Sequence, residues 1–391
     1  MTVNAPPSQR LAELGARPDA EQAAAGYLHT LAEILQQPST WRDTAARLDA
    51  HADFFAAQCE SVDAIVLTGS GSSYYLCEGL APTLQAALGR PVTAVPAGSL
   101  LTHWRGLLPP GPTLLVSFAR SGDSPESAAV VDTLLAEAPE CRHLFVTCNA
   151  EGRLATHYRD RAATWLLDPR TNDRSLVMTS SYSNLLLSGL ALAGQPLAAR
   201  AERAAAAAER VVAGAGDALA RYVEADIGSI LYLGSGARVG SAHESALKLL
   251  EMTGGRVRTH VETYLGLRHG PMSALRHDTR VVAFLSADPA VRGYEDDLLR
   301  ELSRKGLGLQ RVLVGANPER SRCSDDDLAI DVDVDDAIAP LTDAVIGQLL
   351  GLFRCLAFGL HPDEPSQGVI TRVVERFAIH GTPLQDGTSQ P

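Results

Sequence analysis

The chain has 391 residues, 46% of them hydrophobic and 20% charged, the balance of a folded protein with sizeable cores and not of a disordered or fibrous chain. Its net charge of −12 leaves no basic surface for nucleic acid or an anionic membrane, so any bound anion must be held by a local site. Cys59, Cys77, Cys141, Cys148, Cys323 and Cys355 form no C-x-x-C pair, the N-terminus lacks a basic or apolar leader region, and no apolar run approaches the roughly 20 residues of a transmembrane helix. These features predict reduced thiols and a cytoplasmic enzyme.

In chain order, residues 19–58 place Ala, Leu and Glu at helical spacing and predict a helical preface. "DAIVLTGSGSSYYLCEGLAPTLQAAL" then reads as a buried strand, a Gly/Ser turn and a helix, followed by the strands "VTAVPA", "TLLVSFA" and "HLFVTCN" with helical stretches between them. An alanine-rich helix near residues 196–223 is the expected connector. "GSILYLGSGARVGSAHESALKLLEM" repeats the strand, turn and helix order and leads into "RVVAFLS", "QRVLVGA" and "LAIDVDV". Such alternation predicts two doubly wound parallel α/β/α sheets in a flavodoxin-like order. The expected divisions are a helical segment 1–58, a first domain 59–200, a second 201–365 and a tail 366–391 with a frayed end.

The stretch "LLVSFARSGDSPESAAVVDTLL" sits where a strand end opens a helix. Ser117, Ser121 and Ser124 surround Gly122 and a lone Arg120, and Ser124-Pro125 is a helix start. A helix N-terminus offers unpaired N–H groups and a partial positive charge, and small hydroxyls add donors, which suits a phosphate. The same residues also make an ordinary turn and cap. Ser72 and Ser73 in "GSGSSYY", and Thr179, Ser180 and Ser181 in "RSLVMTSSYSN", add hydroxyl clusters and favour the phosphate. Neither G-S-G turn continues as G-x-G-x-x-G, and no P-loop or paired metal-ligand spacing occurs, which argues against nicotinamide, nucleotide and metal cofactors.

In "HESALKLLEMTGG", Glu244, Lys248 and Glu251 fall on one helix face, and "LRHGP" puts His269 before a Gly-Pro break. Each has two readings: a solvated ion-pair stripe or acid–base groups for the helix, a surface loop residue or a proton carrier for His269. His51, His143 and His157 have no such context and are read as structural.

Together, "GSGSSYY", "SFARSGDSPES", "MTSSYSN", "ESALKLLEMT", "LRHGP" and "PSQGVITRVVERFAIH" resemble tandem sugar isomerase (SIS) domain proteins of the tagatose-6-phosphate ketose/aldose isomerase and galactosamine-6-phosphate deaminase family, over about residues 60–380. The resemblance implies that Ser121, Ser124 and Arg120 hold a sugar phosphate and that Ser72, Ser73 and Ser180 contact phosphate or sugar hydroxyls. It implies Glu251 as the proton-transfer carboxylate, His269 as the ring-opening histidine and Lys248 as the helix lysine beside them. Where the related glucosamine-6-phosphate synthase has a tail lysine, this chain offers Arg372, which stays protonated and suits oxyanion binding better than proton transfer. The implied activity is cofactor-independent deamination of galactosamine 6-phosphate or aldose/ketose isomerisation, in a homodimer or larger oligomer with shared active sites. A glucosamine-6-phosphate or fructosyl-amine-6-phosphate deaminase and a non-catalytic phosphosugar sensor are the alternatives. The synthase itself is not the expected reading, since it needs an amidotransferase domain with an N-terminal cysteine nucleophile and this sequence begins MTVN with only about 50–60 residues ahead of the first repeat.

Overall fold

The computed structural model describes residues 8–380 apart from 226, 309 and 367; the tail end expected to fray, 381–391, lies outside the described residues. Among the described residues, ten strands form two parallel sheets: β1 (Ala64–Gly69), β2 (Val92–Pro96), β3 (Thr113–Ala119), β4 (Cys141–Thr147) and β5 (Ala163–Leu166) in the order β2-β1-β3-β4-β5, then β6 (Ser229–Gly234), β7 (Arg258–Thr263), β8 (Thr279–Phe284), β9 (Arg311–Gly315) and β10 (Leu328–Asp331) in the order β10-β9-β8-β6-β7. Each sheet thus repeats one order, 2-1-3-4-5, counted along its own half. The expected α/β architecture is what the chain adopts.

Alternation along the central strands explains why both faces are covered. Ile65 and Leu67 point into one core and Val66 into another; Ile230 and Tyr232 face the first core, Leu231 and Leu233 a third. A strand buried on both sides reads as a continuous apolar run, which is why β1 and β6 were legible. Two strands were not. β5 has only four residues at an edge of the first sheet, and β7, "RTHVET", carries charge and stays partly exposed at an edge of the second, so neither shows the apolar run of a central strand.

The N-terminal helices join the halves. Trp41 is fully buried and donates from Nε1 to Ser183 Oγ at 2.8 Å, while Gln37 donates to Gln348 Oε1 at 2.7 Å, so one short segment touches both halves. The helix Ala339–Ala357 is long and apolar enough to cross a membrane by length and composition, closer to that limit than the sequence reading allowed. Its residues are nevertheless almost all buried, and it is a core helix packed on Arg238–Thr253.

His143 on β4 is 3% exposed, and its ring nitrogens have no hydrogen-bond partner among the described residues. Burial, then the charge of Arg161, pushes its pKa down to about 4. A histidine depressed in the folded state favours folding fully above its unfolded value near 6.5 and loses that contribution as pH falls toward 4. We expect the stability of the wild type to decline by about 3 kcal/mol more than that of His143→Leu between pH 7 and 4, as measured by urea unfolding. Equal decline in both proteins would show that His143 does not titrate in this range.

Candidate active site

In a sheet of this order the strand sequence reverses between β1 and β3, and the turns that follow them diverge to leave a crevice at their carboxyl ends. The register pairs Thr68 with Ser117, so the turns at 70–73 and 120–124 open side by side. The serine-rich segments singled out in the sequence are therefore neighbours in space.

The β3 turn is built to leave donors free. Gly122 has φ +71°, a backbone conformation that side chains disfavour, and it carries the chain into the extended Ser124 that precedes the helix Pro125–Glu137. Ser124 makes no side-chain cap bond, which leaves the first-turn amides without their usual side-chain acceptor. Ser121 is held from both sides: its hydroxyl accepts from Asp123 N at 3.3 Å, and its carbonyl accepts from Asn149 Nδ2 at 2.9 Å. On the neighbouring turn, Gly71 (φ +56°) opens the helix Ser72–Leu88, and Ser72 and Ser73 are its first residues. Ser73 Oγ lies 3.9 Å from Met178 Sδ, its closest hydrogen-bonding contact.

The helix Arg238–Thr253 brings the acid–base candidates to the same place. Lys248 is fully buried; its Nζ lies 2.6 Å from Glu251 Oε2 and 3.4 Å from Glu244 Oε1, and it donates to Ser72 Oγ at 3.1 Å. This is no solvated stripe. Glu244 is wholly buried, whereas the Glu251 side chain keeps 21% exposure with one oxygen turned to Lys248. Burial pushes the Glu244 carboxyl up to about 7, against the pull of Lys248. Burial works against the Lys248 ammonium too, but Glu244 and Glu251 outweigh it and hold its pKa above the ordinary value. A carboxylate fixed at one oxygen and open at the other is what proton transfer at a bound substrate requires.

Arg120 and Arg372 are brought together, in a different manner from that expected. Arg120 is 8% exposed and donates from Nη1 to Ser175 O (3.1 Å) and Leu176 O (2.8 Å) and from Nη2 to the carbonyl of Arg372 (3.2 Å). Arg372 in turn reaches Asn172 Oδ1 at 2.7 Å and Ser175 O at 3.4 Å. Burial, then the charge of Arg372, holds the Arg120 guanidinium below its ordinary pKa. Much of its donor capacity ties the tail and the 172–178 loop to the β3 turn.

Ser180 is a correction. It is fully buried, donates to Glu33 O at 2.7 Å and accepts from Gln36 Nε2 at 2.8 Å, so its hydroxyl serves the N-terminal helices. The helix it opens already has an internal anion: Asp173 accepts from the amides of Thr179, Ser180 and Ser181 and from the hydroxyls of Thr179 and Ser181. A carboxylate occupies the place a phosphate would need. The sequence offered one signal for this, an aspartate seven residues ahead of a serine run, and it was missed.

The same device closes the equivalent turns of the second half. Asp336 accepts from Ser286 Oγ and Ala287 N, Glu295 from Ser286 N at 2.8 Å, and Asp288 from Ala290 N at 2.8 Å, while Arg238 at the β6 turn is locked to Asp343. Among the described residues, the helix after β3 starts at Ser124 with no side-chain cap, whereas the helix after β8 starts at Asp288, which caps its own first turn; in the first crevice Ser70 Oγ donates to Glu126 Oε1 at 3.0 Å. His269 lies in the short turn Gly266–His269 and is exposed, and no hydrogen bond or ion pair among the described residues joins it to Lys248 or Glu251.

A comparison with protein-family models finds no match. An AgaS protein of Streptomyces coelicolor is 40% identical over 373 residues, covering 90% of this chain and 95% of its own. The chain belongs to the AgaS family of SIS-domain proteins. Another relative, the D-galactosamine-6-phosphate deaminase AgaS of Escherichia coli O157:H7, is 35% identical over 92% of this chain and 97% of its own length. The solved tagatose-6-phosphate ketose/aldose isomerase of Escherichia coli superposes with a TM-score of 0.79 at 32% identity, over 91% of this chain and 97% of that one. The family membership fits the motifs singled out in the sequence, and the family's named members are deaminase/isomerase enzymes.

Proposed function

We propose that the protein converts galactosamine 6-phosphate to tagatose 6-phosphate and ammonia. The observation that carries this reading is the Glu251 carboxylate, clamped by Lys248 at one oxygen and open at the other, beside turns with free phosphate donors. Ser121 and Ser124 hold the phosphate with first-turn amides, and Ser72 and Ser73 line the adjoining wall. His269 moves a proton between the ring oxygen and the anomeric hydroxyl and opens the ring. Glu251 takes the C2 proton to give an enolamine and returns a proton to C1; water hydrolyses the resulting ketimine to the ketose phosphate and ammonia. The remote phosphate supplies the binding energy that holds C1 and C2 against the carboxylate. Arg372 keeps its charge and acts on oxyanions or on the tail, not as a proton carrier.

The protein works without metal or nicotinamide in this reading, in the cytoplasm, as a homodimer in which His269 completes the partner's site. An ammonia-release assay tests the reaction: galactosamine 6-phosphate is expected to outpace its C4 epimer glucosamine 6-phosphate by at least about ten-fold in kcat/KM, with activity intact after dialysis against a chelator. Preference for glucosamine 6-phosphate overturns the substrate, and ketose formation without ammonia turns the reading to simple isomerisation. Binding without turnover of either sugar favours a phosphosugar sensor.

A further inference from the structure

The bond from Lys248 to Ser72 spans 176 positions of sequence and joins the two halves, and its length depends on how closely two helices cross. Ser72–Leu88 and Arg238–Thr253 cross at Gly79 and Gly240. A methyl group on Gly240 would run into Tyr75 O and lie 2.7 Å from Gly79 N; one on Gly79 would lie 2.9 Å from Ala237 O. The obstacles are backbone atoms, which cannot swing aside as a flexible side chain can. The crossing therefore has no room for any side chain. Ser72 lies two helical turns before Gly79, and Lys248 lies about two turns after Gly240, so both ends of the bond extend from this contact.

The second helix is closely packed on its far side as well. On its other side it meets Ala339–Ala357, where a methyl group on Gly347 would collide with Ser245 and one on Gly351 would lie 2.9 Å from Met252 Sδ and 3.3 Å from Lys248 O. The helix that carries Glu244, Lys248 and Glu251 is held between two close contacts. Nothing local to the helix dictates this packing: Gly is among the poorest residues in a helix interior, and a bulkier residue would be preferred on propensity alone.

We infer that the Gly79–Gly240 contact is a positioning element for catalysis: it sets the separation of the two halves at which Lys248 reaches Ser72 and presents Glu251 to the substrate. This rests on the proposed role of Glu251. A methyl group at the crossing pushes the Lys248 helix away from the first half, while the phosphate turn, which belongs wholly to the first half, stays intact. Displacements near 1 Å cost about a hundred-fold in a positioned reaction.

The test compares Gly240→Ala and Gly79→Ala with the wild type. Expected are a fall in kcat of about ten- to a hundred-fold for Gly240→Ala, a smaller fall for Gly79→Ala, and unchanged affinity of both for inorganic phosphate. In a Ser72→Ala background the added loss from Gly79→Ala should shrink, because the bond it acts through is already gone. A second readout is independent of turnover. Lys248 and Lys305 are the only lysines in the chain, so protein labelled with 15N at lysine Nζ gives two assignable signals. The Lys248 signal should move in either glycine variant while that of Lys305, paired with Glu301 at the surface, stays. Turnover within two-fold of wild type, parallel loss of phosphate affinity and kcat, or an unmoved Lys248 signal overturns the inference. If Gly240→Ala does not fold, the milder Gly79→Ala decides. If wild-type protein releases no ammonia from either sugar, the functional reading fails and the Lys248 signal alone decides the positioning claim.

Discussion

Glu251→Gln is expected to lower turnover at least about a thousand-fold and to abolish exchange of the C2 proton with deuterated solvent, while binding of inorganic phosphate persists. The amide keeps the size of the side chain but cannot accept the proton, and the phosphate donors lie on other elements. Lys248 loses one of its two carboxylate partners, yet Glu244 remains at 3.4 Å, so the buried ammonium is not left alone. Exchange that continues would assign the base elsewhere. The same variant tests assembly. If the protein is the proposed homodimer and is refolded in equal mixture with His269→Ala, half of the dimers should be mixed and each has one intact site if His269 serves the partner, so about a quarter of wild-type activity should return. No recovery, with mixed dimers shown to form, would place His269 at its own subunit's site or outside catalysis.

Arg120→Ala has the second large effect, and the structure alters what is expected of it. From sequence the substitution should mainly weaken phosphosugar binding. The guanidinium instead binds three backbone carbonyls, two in the 172–178 loop and one in the tail, and deleting it leaves those acceptors in a mostly buried setting. Hydrogen bonds to charged groups contribute about 1.5–3 kcal/mol, so local stability should fall by roughly that amount. Hydrogen exchange should then rise by about ten-fold or more at amides of residues 172–178 and 368–376, together with weaker sugar phosphate binding. Arg120→Lys should recover little, since a single ammonium cannot span three carbonyls in two directions. Weakened binding with unchanged exchange would return Arg120 to a purely phosphate-directed role.

Much of the candidate site was legible because its parts obey local rules. A glycine-rich turn after an apolar run marks a strand end, Ser-Pro marks a helix start, and i, i+4, i+7 spacing puts Glu244, Lys248 and Glu251 on one face. Those rules say nothing of what the face meets. Only the crossing at Gly79 and Gly240 shows that the stripe is buried against Ser72, and only burial turns surface ion pairs of small worth into a clamp with shifted pKa values. Likewise Ser124 and Ser180 look alike in sequence, each opening a helix. Asp173 folds back on the second and nothing caps the first, a difference set by the path of the loop.

The sequence by itself determined the two α/β units, the strands buried on both faces and which residues were candidates for the chemistry, since periodicity and turn preference act within a few neighbours. Edge strands β5 and β7 escaped it because a strand covered on one side, or charged along an exposed edge, has no continuous apolar signature. The tertiary structure alone decided which helix starts are already held by a carboxylate, that Lys248 meets Ser72, and that Arg120 ties down the tail. The reason is the same in each case: these outcomes depend on pairs of groups tens to hundreds of residues apart, brought together by sheet order and helix crossing, which no local pattern records.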